Sequence, residues 1–261
     1  MLPDVPWSER WTAIVGRIRV VHSGDEETTL VRELAATNCN RVLEFVNAHA
    51  LNLAASDSAF YAALGSADIL LRDGSGMALL YRRRFGKAGL NMNGTDFIPK
   101  ILAEFRGRRV ALWGTEEPFL GICARRCERE FGVNVVSLES GFRDPEHYAG
   151  LIEKVLPDLI VLGMGIPKQE YVASLIRSRP AGAALIICGG AIIDFLGGKV
   201  RRAPGWMRRS GFEWTYRLVH EPRRLFGRYV VGNPVFVLRV IGWHPNREIS
   251  AHASRDGHEI S

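Results

Sequence analysis

From about residue 40 onward, short aliphatic runs alternate with longer stretches whose apolar positions recur every three or four residues. Six near-continuous apolar runs predict strands: RVLEFVN (41–47), ADILLR (67–72), RVALWG (109–114), VNVVSL (133–138), DLIVLGM (158–164) and AALIICGG (183–190). Between and after them, helical spacing covers 50–64, 75–86, 95–106, 117–131, 146–155 and 168–178. Strands this apolar belong in a sheet that helices cover on both faces, and regular strand–helix alternation makes that sheet mostly parallel. The pattern predicts a doubly wound, Rossmann-like α/β core over residues 1–198. One run breaks in the middle: in ILLRDGSGMALLYRRRFG the apolar pattern stops at Arg72-Asp73-Gly74-Ser75-Gly76 and then resumes.

Past residue 198 the pattern changes. Residues 199–228, KVRRAPGWMRRSGFEWTYRLVHEPRRLFGR, carry nine Lys or Arg against two Glu, with Trp206, Trp214, Tyr216 and Phe226 interleaved. An apolar segment follows, so 199–243 is expected to form a basic, aromatic helical appendage. The polar stretch 244–261 is expected to be a disordered tail. No repeat at solenoid periods is present.

Composition adds the sign of the partner. Forty-seven per cent hydrophobic residues can build a core, and a formal charge of +6 suits an anion: a nucleotide, a nucleic acid, a phosphate or a membrane surface. Cys39, Cys123, Cys127 and Cys188 are dispersed, and the CARRC pair lacks a second Cys/His pair for zinc, so reduced cytoplasmic thiols are expected. MLPDVPWSERW has no basic and apolar regions of a secretory signal. No stretch reaches the ~18 uninterrupted apolar residues of a membrane span.

In open α/β sheets ligands sit beyond the carboxyl ends of the strands, which directs attention to the residues just after each one. These are Asn47-Ala48-His49, Asp73-Gly74-Ser75-Gly76, Gly114-Thr115-Glu116, GMGIPKQE (163–170) and Gly189-Gly190-Ala191. GMGIPKQE outlines a phosphate cradle: Gly165 permits close approach, Pro167 opens a helix with free N–H groups, and Lys168 adds charge. It is neither a P-loop nor a full dinucleotide fingerprint. In CGGAIIDFLGG, Gly189 and Gly190 could offer N–H groups to a nucleotide and Asp194 could accept from a sugar or base; equally, Asp194 could pair locally with Lys199 or Arg201. Asp73 is either a general base held at the sheet edge, with Gly74 and Gly76 keeping the turn tight, or the N-cap of the next helix. His49 reads as a loop residue or a site residue. The appendage suits nucleic acid, a membrane surface or plain solvent; Arg224 and Arg228 share a helical face.

The order of motifs carries a further likeness. NAHALNLAASD, ADILLRDGSGMALLYRRRFG, NGTDFIPKIL, PDLIVLGMGIPKQE, GGAIIDFLGGKVRRAPGWMRRSGFEWTYRLVHEPRRL and GNPVFVLRVI together resemble the WecG/TagA/CpsF glycosyltransferases, family 26, over about residues 15–241. The resemblance implies an inverting enzyme, free of metal and cofactor. It would move a hexose or N-acetylhexosamine from a UDP-sugar to a polyprenyl-diphosphate saccharide at the cytoplasmic membrane face, in surface-polysaccharide or cell-wall polymer assembly. It implies Asp73 as general base, with Asn47, Gln169, Gly189 and Gly190 lining the pocket. Arg217, Arg224 and Arg228 would complete the site from an appendage that also touches anionic lipid. Thr95 and Asp96 of NGTDF fall in a further matching motif and are expected at the substrate.

Three departures bear on specificity. A Thr-x-Asn-x-Glu pattern common in the family reads Phe45-Val46-Asn47-Ala48-His49 here, so His49 stands where relatives have an acid. GTDF replaces GSDL, and Gly227 replaces a frequent Arg. The other class left open is a non-enzymatic nucleotide- or nucleic-acid-binding module. Asp73 and the bracketed glycines argue against it, and no nucleic-acid partner is expected. The sequence leaves a homo-oligomer open and does not name the sugar.

Overall fold

A computed structural model of the chain describes residues 5–179, 182–209, 211 and 213–244. The expected tail therefore lies outside the described residues from 245 onward. The chain opens with helix α1 (Trp7–Val15), a two-residue strand β1 (Ile18–Arg19) and α2 (Gly24–Ala35). All three lie ahead of the predicted elements. Ser23 caps α2 by accepting from the Glu26 N–H, and Asp25, Glu26 and Glu27 crowd its positive end.

The predicted alternation follows: β2 (Arg41–Val46), α3 (Ala48–Ser56), α4 (Ser58–Gly65), β3 (Ile69–Arg72), α5 (Gly74–Phe85), α6 (Gly94–Glu104), β4 (Arg109–Gly114), α7 (Phe119–Phe131), β5 (Asn134–Glu139), α8 (Pro145–Val155), β6 (Leu159–Gly163), α9 (Lys168–Arg177) and β7 (Leu185–Cys188). Where the apolar spacing predicts one helix over 50–64 there are two. Asp57 takes an extended conformation (φ −122°, ψ 109°), ends α3 and caps α4 by accepting from the Phe60 N–H at 2.9 Å. The carboxylate competes with the helical backbone, and helical spacing continues through the break.

All seven strands are parallel, in the order β1-β3-β2-β7-β6-β4-β5. Their side chains divide into two cores, one on each face. Trp11, Val46, Leu51, Trp113, Leu162 and Val172 belong to one; Leu43, Leu71, Phe97, Leu112, Cys127 and Ile187 belong to the other. The doubly wound prediction holds, with β1 as an added short edge.

After β7 come α10 (Ile192–Leu196), α11 (Gly205–Arg209), α12 (Glu213–His220), α13 (Pro222–Phe226), a π-helical turn (Gly227–Val231) and α14 (Gly232–Gly242). The last of these is built into the core. Phe236, Val240 and Trp243 are buried with Trp11, and the Trp11 and Phe236 rings lie 5.4 Å apart. The Trp243 indole donates to the Ser8 carbonyl at 3.1 Å, while Asn52 of α3 donates to the Gly232 carbonyl at 2.7 Å.

Candidate functional site

The carboxyl ends of β2, β3, β4, β6 and β7 open into a cavity of about 800 Å³, roofed by the appendage. Glycines let the strand ends converge there. A Cβ on Gly114 would lie 2.5 Å from the Gly163 carbonyl oxygen, so β4 and β6 could not keep this spacing with a larger residue.

Asp73 stands just past the carboxyl end of β3. Its N–H continues the sheet to the Val46 carbonyl at 2.9 Å, and its extended backbone (φ −123°, ψ 131°) occupies the N-cap position of α5. The carboxylate, however, makes no capping bond. Asn91 Oδ1 instead accepts from the Gly74 N–H at 2.8 Å, leaving the acid to face the cavity. Gly74 has φ +87°, a left-handed turn that L side chains resist. Below it, the buried guanidinium of Arg72 donates to the carbonyls of Gly74 (3.2 Å), Gly89 (3.2 Å) and Leu90 (2.6 Å). This clamp lies next to Asp73 in sequence, but its partners at 89–90 are invisible until the chain folds.

Burial raises the Asp73 carboxyl to about 6, Arg228 and an Asn47 hydrogen bond oppose the rise, and Glu213 adds to it. Asn47 caps α3 through Oδ1, which accepts from the Ala50 N–H at 3.1 Å; its amide nitrogen is thereby turned toward Asp73. His49 lines the same wall. Burial, with Arg228 nearby, pushes its imidazole down to about 4, so at neutral pH it is uncharged.

The structure brings together Asn47, His49, Asp73, Gly74, Gly76, Thr95, Gly165, Gln169, Gly189, Gly190, Asp194, Arg217, Arg224 and Arg228 around one cavity. Two predicted residues point elsewhere. Lys168 turns its ammonium onto the carbonyls of Gly141 and Arg143, pinning the loop that carries the exposed Phe142 to the rim. Asp96 pairs with Arg202 at 2.7 Å and with Arg208 at 3.6 Å, tying α6 to the appendage. The two glycine amides are also already used. Gly189 N–H goes to the Leu162 carbonyl at 2.8 Å and Gly190 N–H to Gln169 Oε1 at 2.9 Å, so neither is open to a phosphate in this structure. The Asp194 carboxylate accepts from the Thr115 hydroxyl at 2.6 Å, while Lys199 reaches this residue through its backbone N–H, which donates to the Asp194 carbonyl at 2.9 Å.

Opposite Asp73 the appendage supplies cations. Arg228 and Arg217 each bury an Nε atom that has no partner, and Arg217 lies 5.8 Å from the Phe195 ring. Arg224 donates to Glu221 at 2.5 Å. An acid able to hold or release a proton near neutrality thus faces guanidinium groups with unused donors. Among the described residues no cluster of three His, Cys, Asp or Glu side chains could hold a metal ion.

The sequence model of the glycosyl transferase WecG/TagA/CpsF family matches residues 15–249. The chain belongs to this family. Two relatives carry the name N-acetylglucosaminyldiphosphoundecaprenol N-acetyl-beta-D-mannosaminyltransferase. One, from Bacillus subtilis (strain 168), is 26% identical over 211 residues, covering 79% of this chain and 81% of its own. The other, from Bacillus spizizenii (strain ATCC 23059 / NRRL B-14472 / W23), is 28% identical over 186 residues, covering 70% and 71%. In this member of the family, Asp73 and the C-terminal residues Arg217, Arg224 and Arg228 line one cavity.

Proposed function

We propose that this glycosyltransferase moves a hexose or N-acetylhexosamine from a UDP-sugar to a polyprenyl-diphosphate saccharide, with inversion. The relatives' names supply the acceptor class. The observation that carries the mechanism is the uncapped, half-buried Asp73 carboxylate facing Arg228 across the cavity.

In this reading the ionised Asp73 takes the proton of an acceptor hydroxyl while that oxygen attacks the anomeric carbon from the face opposite the diphosphate. A new glycosidic C–O bond forms, and the bond to the diphosphate breaks with its electron pair. Charge growing on UDP is met by Arg217, Arg224 and Arg228, whose donors are preorganised in a site shielded from bulk water. Asn47 holds the Asp73 carboxylate in place. Neutral His49 offers a hydrogen bond without adding charge beside the base. No metal is assigned to this step, and the reaction is expected to persist in EDTA.

The same reading places the enzyme on the inner face of the cell membrane, where a polyprenyl diphosphate presents its headgroup. The helical run Pro222–Gly242 is apolar and long enough to cross a bilayer by length and composition, yet it carries Arg223, Arg224, Arg228 and Arg239. Its inner stripe, Phe236 and Val240, is spent on the core, while Val231, Val235, Leu238 and Ile241 face outward. A helix with a committed inner face and a free apolar outer face suits the interface plane, with arginines at headgroup level. Asn233, Phe236 and Val237 line the cavity, so this helix also borders the route by which a lipid-linked acceptor would enter.

Screening UDP-sugars against a synthetic polyprenyl-diphosphate saccharide tests the proposal. Sugar transfer with inverted anomeric configuration is expected. Salt-sensitive nucleic-acid binding without transfer would instead favour the non-enzymatic module.

A further inference from the structure

Beneath the cavity floor lie two acids that the transfer step does not use. Glu44, in the middle of β2, and Glu170, in the first turn of α9, are each 2% exposed. One oxygen of each, Glu44 Oε1 and Glu170 Oε2, is buried without a partner. Neighbouring buried carboxyls cost stability, and apolar residues of similar volume in their place are commonly neutral or better for the fold. Their position suggests what keeps them there. The other oxygen of Glu170, Oε1, accepts from Gln169 Nε2 at 2.9 Å, and the opposite end of that amide, Oε1, accepts from the Gly190 N–H at 2.9 Å. Gln169 lines the cavity, as does the turn 189–191, in which Gly190 is left-handed at φ +60°.

A carboxylate oxygen is only an acceptor, so Glu170 decides which way the Gln169 amide points. Flipped, the amide would set its NH₂ against the Gly190 N–H, donor facing donor, and the turn would lose its anchor. We propose that Glu170 is a positioning residue for the donor site: through Gln169 it fixes the Gly189–Ala191 turn in the shape that receives the nucleotide. Glu44 is its buried neighbour across the floor, beside Cys188, whose thiol meets the Gln169 carbonyl at 3.6 Å. Burial lifts both acids, Glu170 to about 7 and Glu44 well above the usual carboxylate range, so the pair keeps a proton while Glu170 remains the acceptor for Gln169.

The inference rests on the nucleotide-sugar reading, and one set of measurements on the full chain separates the two. Glu170→Leu keeps side-chain bulk and removes the acceptor. Expected are a Tm equal to or above wild type, faster amide hydrogen exchange at Gly190 in the ligand-free protein, and a UDP affinity at least tenfold weaker by calorimetry. The donor KM should rise with it and kcat should change less. Glu170→Gln, which still offers an oxygen to Gln169, should restore affinity to within a few-fold. In a cycle with Gln169→Ala, the double variant should bind UDP no worse than Gln169→Ala alone. A fall in Tm or failure to fold on Glu170→Leu, unchanged Gly190 exchange, or additive losses in the cycle would overturn the proposal. If wild type does not bind UDP while Gly190 exchange responds as stated, the positioning stands and the UDP reading fails.

Discussion

At the residue scale the chemistry reduces to whether Asp73 is a cap or a base. Its N-cap position was plain in the sequence, because Asp before Gly-Ser-Gly is a helix start. What the sequence could not show is that Asn91, seventeen residues beyond Gly74, satisfies the Gly74 N–H and leaves the Asp73 carboxylate out of the cap. Asp73→Asn should therefore keep the fold and UDP binding while lowering kcat by about 10²-fold or more, measured by steady-state transfer. The base must be ionised, so wild-type kcat/KM should rise with pH through a limb near 6 that Asp73→Asn lacks. Arg228 pulls the Asp73 carboxyl down, so Arg228→Met should move that limb to higher pH, with donor affinity reduced by the missing cation. A limb that stays in place would separate Arg228 from the base. The orphaned Nε atoms of Arg217 and Arg228 were equally illegible, since only the fold buries them.

At the element scale the sheet was the most legible part. Five strands buried on both faces, together with the half-exposed edge strand β5, announce themselves as apolar runs, whereas β1 has two residues and no pattern to detect. The split between α3 and α4 at Asp57 and the inner stripe of α14 were hidden for a common reason: helical spacing shows that a face is apolar, not what covers it. In α14 the two faces can be told apart by mutation. Phe236→Ala removes a ring packed on Trp11 and should cost about 3–5 kcal/mol of stability in chemical denaturation. Leu238→Asp with Ile241→Asp alters side chains that are 69% and 51% exposed, so stability should change by about 0.5 kcal/mol or less for each. Sedimentation with anionic vesicles should nevertheless fall sharply, because apolar area and neighbouring arginines act together at a lipid surface. Unchanged sedimentation would remove α14 from membrane contact.

At the scale of the whole molecule, the site sets how stability depends on pH. Asp73 and Glu170 hold protons more tightly in the fold than in the unfolded chain, with carboxyls raised to about 6 and about 7, and burial lifts Glu44 well above the usual carboxylate range. Where the native state binds more protons, stability falls as pH rises, by about 1.4 kcal/mol per pH unit for each fully coupled proton. For Asp73 and Glu170 the window runs from the ordinary carboxylate range up to about 6 and 7. Glu33, Asp68 and Asp96 act oppositely: Arg19 and Arg41, Arg177, and Arg202 hold them below their usual range, so their contribution is complete above about pH 4.5 and fades only in stronger acid. His49, held neutral down to about 4, adds stability as pH rises toward its ordinary range near 6.5 and so offsets one of the three raised acids; the other two leave a net decline of Tm from about pH 5 toward pH 7. Thermal unfolding between pH 4.5 and 8 should show this decline, and Asp73→Asn or Glu170→Leu should each flatten it by removing a group that must ionise inside the fold. A wild-type Tm that climbs to pH 7 would mean that these acids are solvated well enough to ionise freely, and a base tuned near neutrality would no longer be available to the transfer step.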